Sequence, residues 1–128
     1  MDFAHKVVSK IPGASHDVTV RPADGLRTVE LSGTTVARTD RALVLSETGY
    51  PDRTYVPRAD VEATIDGPTG KHTRCPFKGK ADYWSVELEG ERIENAAWSY
   101  EDPIESVAAI AGHLCFDLAD GVEVSPRQ

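Results

Sequence analysis

Apolar and polar residues alternate in short runs along most of the chain, and glycine, proline or aspartate interrupts each run. A period of two puts successive side chains on opposite faces, so the pattern predicts half-buried β-strands. Val18 and Val20 alternate with polar neighbours as far as Pro22. Thr28 to Ser32 and Thr35 to Thr39 flank Gly33-Thr34, a glycine-led two-residue turn that sets Leu31 opposite Val36. Ala42 to Leu45 reads as a short buried strand ending in Ser46-Glu47, and Arg53 to Val56 as an extended piece before Pro57. Val61 to Ile65 alternates again and closes at Asp66-Gly67-Pro68, a turn by residue type. His113 to Leu118 and Val122 to Val124 are the predicted final strands, around Asp120-Gly121.

The most informative stretch is a hairpin, Ala81 to Glu89 and Arg92 to Tyr100 around Gly90-Glu91. With Gly90 first in a type II′ turn, Glu89 faces Arg92 and Leu88 faces Ile93. Counting back, Trp84 meets Ala97 and Tyr83 meets Trp98. Trp84, Val86, Leu88, Ile93 and Ala97 then share a core face. Tyr83, Ser85, Glu87, Glu94, Trp98 and Tyr100 share the other, a mixture of rings and polar groups that core burial alone does not select.

One helix is predicted near residues 103–111. Asp102 stands where a cap belongs, Pro103 suits the first helical position, and Glu105 completes a capping box. Ile104, Val107, Ala108 and Ala111 fall at helical spacing, and Gly112 can end the element. Residues 1–15 show no period and read as a flexible arm, leaving 16–128 as a single all-β domain. Roughly eight short strands and one short α-helix make the fold class mainly β, with the helix packed on or beside the sheets.

A chain of 128 residues suits one domain, and 40% hydrophobic with 27% charged residues is ordinary for a soluble protein. Its 14 Lys+Arg against 21 Asp+Glu leave a net charge of −7, with no basic patch to attract a phosphate backbone. Nucleic acid is therefore not an expected partner. No apolar run is long enough for a membrane span or a signal-peptide core. Two cysteines, Cys75 and Cys115, do not form a disulfide framework, and the expected compartment is the cytoplasm.

Several segments together resemble the bacterial family of domain of unknown function 427. They are Arg41-Ala42-Leu43 with Glu47-Thr48, Tyr55-Val56-Pro57 with Asp60-Val61, Cys75-Pro76-Phe77-Lys78-Gly79 with Ala81 and Tyr83, and Ala97-Trp98-Ser99-Tyr100 with Pro103 and Phe116. The Cys-Pro-aromatic-Lys-Gly segment followed by Trp-Ser-Tyr is the most specific part. The resemblance covers about residues 26–124 and implies two antiparallel sheets meeting at an angle, similar to the β-tent (Mss4-like) topology. It implies no settled activity. Some members carry a nucleotidyltransferase label, but the chain has no Gly-rich phosphate loop and no paired Asp motif for magnesium. Members of the β-tent group hold zinc with two Cys-x-x-Cys knuckles. Here the nearest equivalents are His72-x-x-Cys75 and His113-x-Cys115, and the second spacing lies on a predicted strand without knuckle geometry. The expected reading is no metal and no cofactor, with Cys115 a small buried apolar residue.

Cys75 is the candidate catalytic residue. It lies between Arg74 and Lys78, whose charges favour a thiolate, although His72 is its only histidine neighbour and the simpler reading is a structural thiol at a strand start. Glu47, at the end of a buried strand, is a candidate base or ligand anchor. Its simpler reading is a surface pair with Arg41 or Arg53. Lys78 either grips an anionic group or solvates the bend at Gly79, and Arg58 and Asp60 read as turn or rim residues. Tyr55, Tyr83, Trp98 and Tyr100 combine apolar faces with polar tips, the usual lining of a small-ligand pocket or, under a covering segment, a second small core. A cationic ligand would use these rings through cation–π attraction.

Three functions remain open. A small-molecule or peptide-binding module would use Tyr83, Trp98 and Tyr100 as walls and Tyr55, Glu47 and Lys78 to fix polar groups. An enzyme would use Cys75 as a thiolate, helped by Lys78 and by Glu47 or His72. An interaction domain would pair with a second copy as a homodimer through an edge strand or the aromatic face.

Overall fold

Period-two alternation is realised as two antiparallel sheets in a computed structural model that describes residues 16–117 and 121–126. The described strands are β1 (Val18–Pro22), β2 (Arg27–Leu31), β3 (Thr34–Thr39), β4 (Leu43–Glu47), β5 (Arg53–Pro57) and β6 (Thr64–Asp66). They continue as β7 (His72–Cys75), β8 (Gly79–Leu88), β9 (Glu91–Ser99), β10 (His113–Phe116) and β11 (Val122–Ser125). The larger sheet runs β1-β4-β5-β10-β9-β8-β6, with β7 also pairing with β8, and the smaller runs β11-β2-β3. Among the described residues no helix is long and apolar enough to cross a membrane. The expected arm over 1–15 and the Asp120 side of the last turn lie outside the described residues.

The two faces of the large sheet bury different sets. Val56, Trp84, Val86, Leu88, Ala97, Leu114 and Phe116 pack against Val29, Leu31, Val36 and Ala37 of the small sheet, closing the main core. On the opposite face Val18, Val20, Leu43, Leu45, Tyr55, Ala81, Tyr100 and Cys115 form a second core, covered by Val107 and Ile110. Neighbours in one strand go to different sides, Tyr55 to the second core and Val56 to the first, as the pleat requires.

Both predicted turns fall one residue earlier than expected. Leu31 pairs with Thr34, not Val36, because Ser32 and Gly33 (φ 51° and 82°) form the turn. Leu88 pairs with Glu91 around Glu89-Gly90 (φ 48° and 82°). Positive φ at both central residues defines a type I′ turn, whose twist suits a hairpin and which places glycine second. Tyr83 nevertheless faces Trp98, and Trp84 faces Ala97. Between Trp84↔Ala97 and Val86↔Ile93 there is one residue in β8 but three in β9, so a bulge adds the two residues that the turn removed. Asn95 sits in that bulge at φ 52°, and its N–H is satisfied by Ser85 Oγ at 3.1 Å.

The expected α-helix is a 3₁₀ helix, Glu105–Ile110, broken at Val107 (φ −123°, ψ 25°). Its cap position is Ile104, with no side-chain hydrogen bond, so Asp102 does not cap it. Chain closure explains the change. Gly112 N–H donates to the Tyr100 carbonyl at 3.3 Å, which returns the segment to its own start. An α-helix over 103–111 would run roughly 13 Å in one direction and could not close that loop. A three-residue period then buries Val107 and Ile110, while Ile104, at the non-helical cap position before the first turn, is exposed. The strand β7 escapes the pattern because it is an edge strand with almost wholly exposed, polar residues.

Candidate functional site

The second core opens at one end into a cleft of about 200 Å³. Its wall is made by Glu47 at the end of β4, Tyr50 in the following loop, Arg53 and Tyr55 of β5, Cys75 at the end of β7, Lys78, Trp98 of β9, and Tyr100. Residues from positions 47 to 100 thus converge because β5 is joined to β9 through β10, and Lys78 reaches across from the β7–β8 turn.

That turn is held from both sides. Lys78 N–H donates to the Cys75 carbonyl at 3.2 Å, and the Lys78 carbonyl accepts from Ile104 N–H at 2.9 Å. Gly79 has φ 116°, a backbone conformation that side-chain-bearing residues rarely adopt, so the bend favours glycine.

Lys78 Nζ stands 2.6 Å from Glu47 Oε1, with only 13% and 9% of the two side chains exposed. His16 Nε2 lies 2.7 Å from the other oxygen, Oε2, and its ring stacks on Phe77 at 4.1 Å. Burial opposes ionisation of Glu47, but hydrogen bonds from Lys78 and His16 outweigh it and hold the carboxyl below its ordinary range. The expected surface pair with Arg41 or Arg53 is not formed. Arg41 instead meets Asp60, which also accepts from Thr39. Arg58 lies over the Trp84 ring and pairs with Glu101, outside the cleft wall.

Aromatic groups line the remainder. Trp98 Nε1–H donates to the Tyr55 hydroxyl at 3.2 Å. Burial drives the Tyr55 phenol well above its ordinary pKa, and it raises Tyr100 as well. Both hydroxyls therefore remain protonated donors. Arg53 sits 5.4 Å from the Trp98 ring centre, and Lys78 Nζ sits 5.8 Å from that of Tyr100.

Six of the seven nominated residues therefore stand together: Glu47, Tyr55, Cys75, Lys78, Trp98 and Tyr100. Tyr83 faces Trp98, ring centres 6.3 Å apart, yet stands behind it, under Lys71 and hydrogen-bonded to Thr73. Among the described residues no group of three or more His, Cys, Asp and Glu is placed to hold a metal ion. Cys115 lies buried below the cleft, and burial pushes its thiol up to about 12.

A family model for the domain of unknown function DUF427 matches residues 19–125. The chain belongs to the DUF427 family. No curated protein matches it. In this DUF427 chain the two most specific segments of the sequence resemblance both reach the cleft, the first through Cys75 and Lys78, the second through Trp98 and Tyr100. Sequence reading did not nominate Arg53, Tyr50 or His16 as site residues. Period two carried a signal for Arg53, since it shares a strand face with Tyr55, whereas the His16–Glu47 contact joins residues that local pattern does not connect.

Proposed function

We propose that this DUF427 chain is a binding module for a small molecule, which enters the cleft between Tyr100 and Trp98 and is fixed by Tyr55 and by Lys78, with Glu47 holding the lysine in place. The single observation carrying this reading is the convergence of six nominated residues on one cleft. A volume of about 200 Å³ favours a small metabolite over a peptide, since pockets for drug-sized ligands begin near 300 Å³. The proposed setting is the cytoplasm, where the free thiols Cys75 and Cys115 stay reduced. A thermal-shift screen against a metabolite library tests the reading. Ligands that raise the midpoint should lose that effect in Trp98→Ala and in the gentler Tyr100→Phe. A screen without hits, or hits indifferent to both variants, would refute it.

A second reading is favoured by one observation, the place of Cys75 in the wall beside Lys78. A thiolate there would add to a carbonyl carbon of a bound substrate, the C=O π pair passing to the oxygen, whose negative charge Lys78 would stabilise.

A further inference from the structure

We propose that the occupant of the cleft is a small organic anion, a carboxylate on a flat unsaturated body, gripped by Arg53 and Lys78 beside Trp98. The proposal rests on the ligand-binding reading above and adds the sign of the ligand's charge.

The fixed charges of the wall are Arg53 and Lys78 against Glu47, two positive and one negative, in a chain whose net charge is −7. The cleft therefore runs against the overall field of the molecule. Glu47 is already countered by Lys78 at 2.6 Å, and its second oxygen meets His16 at 2.7 Å, so the uncompensated charge of the wall is that of Arg53. An ammonium carries three donors, and Glu47 engages one of those on Lys78.

The rings point the same way. A cationic ligand needs an aromatic face open to it, yet the Trp98 and Tyr100 rings already lie under Arg53 and Lys78. A second cation would meet those charges first. The neutral phenols of Tyr55 and Tyr100 supply O–H donors, and Tyr55 already accepts from Trp98, which leaves its own proton to give. Donors and cations suit an acceptor-only carboxylate, which a guanidinium can hold with two parallel bonds. One surplus positive charge matches a monoanion better than a phosphate dianion. The cleft's volume suits a single ring.

Calorimetric titration of the full chain with three single-ring probes of similar size, benzoate, benzyl alcohol and benzylamine, tests the sign directly and needs no variant. Benzoate should bind at least about tenfold more tightly than the alcohol, and benzylamine should not bind measurably. Arg53→Gln should weaken benzoate about tenfold, while Arg38→Gln, an equal charge change on the exposed side of the small sheet, should leave it unchanged. Equal binding of the alcohol or the amine, or equal weakening by both variants, would overturn the proposal and leave the cleft as a ligand site. Failure of benzoate alongside library hits that depend on Trp98 would do the same. Failure of every compound would overturn both readings.

Discussion

Lys78 Nζ lies 2.6 Å from Glu47 Oε1, and this largely buried ion pair ties the last residue of β4 to the β7–β8 turn. It fixes the lysine at the cleft wall and neutralises a carboxylate that burial would otherwise penalise. Glu47→Gln removes the countercharge while preserving shape. The expected loss is about 1–3 kcal/mol at neutral pH by urea unfolding. A loss indistinguishable from zero would mean the pair is only a surface contact.

The same carboxylate sets a pH dependence. Its folded pKa lies below the ordinary 4.5, so the stability it confers is complete above that pH and fades as pH falls through the folded value. Stability should therefore drop less on acidification below pH 4.5 in Glu47→Gln than in the parent chain. Parallel curves for the two chains would contradict the assignment.

Thiol labelling separates ligand binding from thiol chemistry. Cys115 is buried, with its pKa pushed up to about 12, whereas Cys75 is partly exposed. Iodoacetamide at pH 8 should modify Cys75 alone in the folded chain and both thiols in denaturant. A pH profile for Cys75 like that of an ordinary cysteine favours the binding module; a strongly acid-shifted profile favours the nucleophile.

The β9 bulge depends on Ser85, whose wholly buried Oγ accepts from Asn95 N–H at 3.1 Å and donates to Glu94 at 3.2 Å. Ser85→Ala leaves that amide without its acceptor, and the expected cost is about 1–3 kcal/mol by urea unfolding. A neutral substitution would show that the bulge is held by packing instead.

Strand alternation made the sheets and both faces of the β8–β9 hairpin legible, because burial on one side of a pleat leaves a period-two trace. The Tyr83–Trp98 register was also legible, although two local errors cancelled: the turn closes at Glu89-Gly90 and the bulge at Asn95 restores the count. Bulges leave little trace in sequence, since the residue at fault needs only tolerate positive φ. Residues 103–111 show the opposite failure. Capping signals there favour an α-helix, but closure between Tyr100 and Gly112 overrides them, and Val107 and Ile110 become the buried pair. At the site, the aromatic residues could be nominated from type and strand face. The partner of Glu47 could not, because Lys78 is 31 positions away and meets it only after the sheet has formed.

The most direct test of a ligand site at this cleft is a two-dimensional nitrogen–proton spectrum of the full chain during titration with a thermal-shift hit. Trp98 and Trp84 are the two tryptophans, and they belong to opposite faces of the large sheet. The Trp98 indole N–H, bonded to Tyr55 in the cleft, should move with ligand concentration while that of Trp84 stays in place. Movement of Trp84 alone, or of neither indole under saturating ligand, would contradict a binding site between Tyr55, Trp98 and Tyr100.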